Sequence, residues 1–199
     1  DEHWLMGVSR KARKRLYAYR RHHHEYPRQV VGAGTATALD DDALAHLHRL
    51  YRAVADQKLK LNVFELPPGL LRAILESPAW EVVTVTLEPE HGGPADGRPI
   101  AWAAAHVHDG HYAPFFCGLD YDYVTDVDWG AYRQLLLHLI ERAREIGCHT
   151  LHLGMDADFE KSRFGTTVVR NCVYLQARDH DQAHILRDIV AEVGLEAAA

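Results

Sequence analysis

Trp80-Glu-Val-Val-Thr-Val-Thr-Leu87, Pro99-Ile-Ala-Trp-Ala-Ala-Ala-His-Val-His108 and His111-Tyr-Ala-Pro-Phe-Phe-Cys-Gly118 follow one another with little between them. The first run is dense in β-branched residues, which suit a pleated, half-buried surface. The second is too continuously apolar to face water on both sides, so both its faces are expected to be covered. Asp109-Gly110 between the second and third runs is a strong two-residue hairpin signal. A Gly/Pro/Asp segment, residues 91–97, separates the first two. Three consecutive antiparallel strands are therefore predicted at the centre of the chain. Pro114 cannot donate to a ladder, so it marks an edge or an interrupted pairing within the third strand.

Helices are predicted on either side of this block. Residues 129–146 carry Leu135, Leu136, Leu139, Ile140 and Ala143 at helical spacing, with basic residues toward the end and Gly147 as the stop. Upstream, residues 9–26 read as a basic helix capped by Ser9 and broken by Pro27. A glycine-interrupted strand is expected over 29–35. Asp40-Asp-Asp42 opens a helix reaching about Gln57, and Pro67-Pro68 a shorter one over 69–76. Downstream come a short buried strand (148–154), a short helix or turn (156–164), a last strand (166–177) and a C-terminal helix (181–193). The fold class is α/β, a mixed, mostly antiparallel central sheet flanked by helices, with a basic helix at the N-terminus. The whole of residues 1–199 reads as one domain, and the Asp1 start suggests a piece of a longer protein.

The 199 residues are 47% hydrophobic and 25% charged, which suits a packed core and excludes a disordered chain. No apolar run approaches a membrane span or a signal peptide. Net charge is −6, unevenly distributed. Residues 1–28 hold eight basic side chains against three acidic ones, +5, and the remainder balances to −11. A basic head of this kind can meet a polyanion, although one helix without a recognition motif does not make a DNA-binding protein. Cys117, Cys148 and Cys172 are widely spaced and sit in apolar stretches. They read as buried thiols in a reducing cytoplasm rather than a disulfide framework or zinc knuckle.

The order of elements resembles the GNAT acyltransferase fold. The wording resembles its FemAB-like branch, the acetyltransferase domain sometimes fused to 8-amino-7-oxononanoate-synthase-like enzymes. The resemblance spans residues 9–177. It is carried by Ser9-Arg-Lys-Ala-Arg-Lys-Arg15, Asn62-Val-Phe-Glu-Leu-Pro67, Arg98-Pro-Ile-Ala101, Gly118-Leu-Asp-Tyr121, Tyr132-Arg-Gln-Leu-Leu136, Glu141-Arg-Ala-Arg-Glu-Ile-Gly147, Leu151-His-Leu-Gly154 and Glu160-Lys-Ser-Arg-Phe-Gly165. It implies an N-acyltransferase that moves an acyl group from acyl-CoA to an amine of a small molecule, with coenzyme A as co-substrate and no metal. One departure is plain: Thr125-Asp-Val-Asp-Trp-Gly-Ala-Tyr-Arg133 lacks the Arg/Gln-x-x-Gly-x-Gly/Ala signature with which GNAT enzymes hold a pyrophosphate. Two other readings stand beside the first. One is a FemAB-like transferase using aminoacyl-tRNA, the basic helix touching phosphates. The other is a non-catalytic module docked on a fused or neighbouring biosynthetic enzyme.

Several residues are candidates for this chemistry. A helix start at Gly130 can offer free amides to an anion, with Arg133 adding charge, although Asp128 could cap the same amides. Lys161 and Arg163 follow the strand that ends in Gly154 and suit a phosphate, and Lys161 could also steady an oxyanion. Asp120, Tyr121 and His108 are candidates for proton transfer, with Tyr123 and His106 beside them. The resemblance places the pantetheine arm against the backbone of Phe116 and Cys117. His106-Val-His-Asp-Gly-His111 invites a metal reading, but Asp109-Gly110 is better used as a turn. His22-His-His24 is expected to continue the first helix on its exposed side, and His152 to lie in a core strand.

Overall fold

A computed structural model describes residues 8–32, 39–57, 66–124, 130–155, 157–169 and 176–192. The chain divides into two compact units, residues 1–167 and 168–199. The smaller holds helix α6 (His180–Glu192), and the larger holds the sheet and the other five helices among the described residues.

The sheet runs in the order β1 (Arg28–Gly32), β2 (Trp80–Val85), β3 (Ala101–His108), β4 (His111–Leu119) and β5 (Thr150–Leu151). The first four strands are mutually antiparallel, and β5 joins β4 in parallel. The Asp109-Gly110 turn has positive φ at both positions, 47° and 73°, as a tight primed hairpin requires. The predicted strand at 148–154 is only two residues long. Residues 166–169 of the predicted last strand lie in no strand, and 170–175 fall outside the described residues.

Alanines at 101, 103 and 105 line the β3 face that receives Leu135, Leu139 and Ala143 of α4 (Ala131–Glu145). Their small side chains let that helix lie close to the sheet. The opposite face presents Trp102 and Ala104 to α2 (Asp41–Gln57) and α3 (Leu70–Glu76), through Leu44, Leu47, Leu50, Leu71 and Ile74. Trp102 is fully buried and donates its indole N–H to Leu47 O at 2.8 Å. Gly118 makes this approach possible. A Cβ there would fall 2.1 Å from the Trp102 indole nitrogen and 2.7 Å from the Tyr51 backbone nitrogen.

Helix α1 (Arg10–Arg21) packs outside α4, with Ala12, Leu16 and Tyr19 against Leu136, Leu137 and Ile140. Its cations therefore line the other side. Helix α1 ends earlier than its polar continuation suggests: His23–Glu25 is a separate 3-10 turn, and His23 turns inward rather than to solvent. Asp40 caps α2, accepting the Ala43 amide at 2.8 Å. Asp40→Ala is expected to cost about 1 kcal/mol, read by urea denaturation. No loss would mean that other groups satisfy the first turn of α2.

Candidate active site

The geometry of the site begins with a missing donor. β4 and β5 pair at only two positions, His111 with Thr150 and Tyr112 with Leu151. Tyr112 turns its carbonyl to β5, accepting the His152 amide at 2.9 Å. Alternation points position 114 the same way, and proline there has no N–H to give. On the other side of β4 the register slips by one between Ala104 and Ala105, so Phe115 bulges out and is 66% exposed. Beyond this point the two strands diverge. Pro114 thus interrupts a ladder inside the sheet, one of the two outcomes its position predicted.

The divergence opens a cleft of about 380 Å³. One wall is β4, through Phe116, Cys117 and Leu119, and the other is the segment after β5, Leu153–Met155. The floor is α4, through Tyr132, Leu135 and Leu139, with Val54 of α2 reaching in from the far side of the sheet. The lining is largely aliphatic and aromatic, with few polar groups, the usual make-up of a small-molecule site.

At the mouth lie α4 and α5 (Asp158–Ser162). The N-cap of α4 is Gly130, which has no side-chain cap among the described residues, and no acidic residue lies in the first turn. Asp126 and Asp128 fall outside the described residues. Arg133 reaches across to Glu160 in a two-pronged ion pair at 2.7 and 3.1 Å. The Arg163 guanidinium lies 3.5 Å from the same carboxylate, 4.8 Å over the Phe159 ring, and donates to the Tyr19 hydroxyl at 3.4 Å. Glu160 is the residue that sequence reasoning missed: it gathers both arginines that were assigned to an anion. Its spacing three residues before Arg163 was the available signal.

Lys161 lines the cleft but is buried, and its ammonium donates to Gly154 O at 3.2 Å and Met155 O at 2.7 Å. It pins the wall opposite β4. Tyr121 lines the cleft beside Tyr132. Asp120 directly precedes Tyr121. One of its carboxylate oxygens accepts the Asp122 amide at 3.1 Å, closing a short turn.

His108 is not brought to this group. It pairs with His111 at the closed end of the hairpin, whereas Asp120 follows the Ala101–Leu119 pair at the other end, roughly 20 Å away along the strands. Strand alternation put His106 and His108 on one face correctly, but that face is the one turned to α2 and α3. His106 stacks edge-on to Trp80 at 5.2 Å. His111 bonds His152 at 2.9 Å, so His152 belongs to an exposed histidine pair rather than to the core. Cys117 and Cys148 are free thiols, half-buried rather than buried as expected, and Cys172 falls outside the described residues.

The family described as acetyltransferase (GNAT) domain matches residues 10–162, the span that builds the sheet, the cleft and both helices at its mouth. The chain belongs to the GNAT acetyltransferase family. The fold of this GNAT domain is shared by an aminoglycoside acetyltransferase from an uncultured soil metagenomic sample, solved with trehalose. That likeness has a TM-score of 0.53 and 15% identity over 79% of this chain and 98% of the other. An acetyltransferase of Trypanosoma brucei superimposes with a TM-score of 0.51 at 13% identity, covering 76% of this chain and 99% of that one. L-PGS from Bacillus licheniformis gives 0.51 at 13% identity, over 74% of this chain and 40% of its own. No curated protein matches the GNAT domain by sequence. Among the described residues, no helix is long and apolar enough to cross a membrane.

Proposed function

We propose that the GNAT domain is an acyl-CoA-dependent N-acyltransferase acting on the amine of a small molecule. The observation that carries this reading is the cleft between the diverging β4 and β5, which is lined by the first turn of α4 through Tyr132. A thin, partly peptidic arm fits such a gap, its amides meeting the backbone of Phe116 and Cys117 as an added strand would. The α4 start at Gly130 offers backbone amides and the positive end of the helix dipole to a diphosphate. Arg133, Arg163 and Glu160 beside it sum to one positive charge. An anion arriving there would compete with Glu160 for both guanidiniums.

The acyl thioester supplies an electrophilic carbonyl and a thiolate leaving group. The residues then have separable duties. Lys161 fixes the wall through two backbone carbonyls and acts as a positioning residue. Tyr121, which lines the cleft, donates its phenolic proton to the departing thiolate and regains one from the acylated nitrogen, which sheds its second proton as the amide forms. Asp120, which precedes Tyr121 and has a second carboxylate oxygen besides the one that closes the turn, takes the first proton from the incoming ammonium, directly or through one water. The aliphatic floor excludes bulk water from the thioester, limiting hydrolysis.

The test is calorimetric titration of the purified chain with acetyl-CoA and with coenzyme A at two salt concentrations. Saturable micromolar binding of both, weakened by salt, is the expected result. Absence of binding to either overturns the reading and leaves aminoacyl-tRNA, probed in the same way, as the donor to be examined.

A further inference from the structure

Outside the lining of the cleft, three ligand-type atoms converge where the 3-10 turn after α1 meets the middle of α4. His138 and Glu141 are three residues apart on α4, and His23 lies opposite on the turn. One nitrogen or oxygen from each lies within 4.8 Å of the others.

The surrounding hydrogen bonds fix which ring nitrogens face the meeting point. Gln134 donates its amide N–H to Tyr19 O at 3.0 Å, so its carbonyl oxygen faces His23 Nδ1 at 2.8 Å and requires a proton on that nitrogen. The other ring nitrogen, Nε2, faces Glu141 Oε2 at 2.9 Å. His138 Nε2 donates to Tyr26 O at 2.7 Å, which leaves Nδ1 as the lone-pair atom. That Nδ1 is buried, has no hydrogen-bond partner among the described residues, and faces Glu141 Oε2 at 4.0 Å. His138 is only 4% exposed.

His23 Nε2, His138 Nδ1 and Glu141 Oε2 converge on one point, and the cation that holds the carboxylate against the imidazoles is either a proton on His23 Nε2 or a metal ion. A proton on His23 Nε2 serves His23 and Glu141 but leaves His138 Nδ1 unmatched. A metal ion serves all three. Donors about 2.0–2.1 Å from a tetrahedral zinc lie about 3.3 Å from one another, a spacing that the observed 2.9 and 4.0 Å straddle. Gln134 and the Tyr26 carbonyl hold the far nitrogens of the two rings, the outer support that ligating histidines need. Arg28, the nearest cation, is turned to His138 O and Glu145. The side chains of His23 and Glu141 are about a quarter exposed, which gives an ion a way in.

We propose that His23, His138 and Glu141 form a binding site for one divalent transition-metal ion of the zinc class, joining the α1–β1 connection to α4. A fourth position is left for water. The site is separate from the acyl-transfer cleft and does not rest on its assignment.

The experiment uses the full chain without an affinity tag, stripped with a chelator and titrated with Zn²⁺ alone. One tightly bound ion per chain is expected. His23→Gln and Glu141→Gln should each weaken binding at least about tenfold, while a His180→Ala/His184→Ala variant, which removes an adjacent exposed pair on α6, should not. Circular dichroism confirms that the variants fold. Zinc-edge anomalous diffraction from unaltered protein supplies a second readout, with a peak expected within bonding distance of His138 Nδ1. No stoichiometric binding, binding indifferent to His23→Gln and Glu141→Gln, or a peak elsewhere would overturn the proposal.

Discussion

Trp102→Ala is expected to lower the unfolding free energy by about 4 kcal/mol. The indole is fully enclosed between the sheet and helices α2 and α3, and its N–H is bonded to Leu47 O. Removing it takes away the largest fully buried side chain and leaves a cavity that α2 cannot readily fill, because Gly118 already brings the Tyr51 backbone close to the sheet. Trp102→Phe keeps most of the volume and loses the hydrogen bond, so a smaller loss, about 1–2 kcal/mol, is expected there. Guanidinium denaturation followed by far-ultraviolet circular dichroism reads both. A loss below about 1 kcal/mol for the alanine variant would mean that α2 does not pack on this face as described.

Cys117→Trp is expected to weaken acetyl-CoA binding by about 100-fold, equivalent to about 2.8 kcal/mol. The Cys117 side chain lies in the wall of the cleft, where the open space between β4 and the segment after β5 can take an indole. The fold should survive, because the added group enters a void rather than a packed core. Calorimetry gives the affinity, and an unchanged thermal transition shows that the fold is intact. Full affinity in a folded variant would place the acyl donor outside the cleft.

The central hairpin and α4 were legible because local chemistry decides them. Asp-Gly forces a tight turn, and an apolar row at helical spacing finds the one face it can bury. Pro114 was legible as an interruption, though not as the residue that sets the cleft. The strand at β5 was legible, but not its length of two residues or its partial exposure. Leu151 and Leu153 alternate as a strand should, but a strand also needs a partner, and β4 offers none of its donors at position 114. His108 shows the complementary gap. Alternation assigns a face, yet only the register of the hairpin decides which end of the strand the residue occupies.

The arginines show a third kind of limit. Arg133 and Arg163 suited an anion by type and position, and the anion beside them turned out to be Glu160 of the same chain. His23 and Glu141 are separated by 118 positions, so their meeting follows only from the packing of α1 on α4. Spacing within one helix, His138 to Glu141, was the part a sequence could show.

The two-rung junction of β4 and β5 also bears on exchange of ligand with solvent. Beneath the cleft, the β2–β3–β4 ladders and α4 share one core and open only with the whole domain. Its outer wall is tied down differently, by two strand pairs, the Lys161 ammonium and the Arg133–Glu160 ion pair. Local opening of residues 152–155 would part these links together with the His111–His152 hydrogen bond and the packing of Leu153, at a cost expected to lie below that of global unfolding. The outer wall of the cleft is therefore expected to open more readily than its floor, through a local excursion that leaves the rest of the domain native.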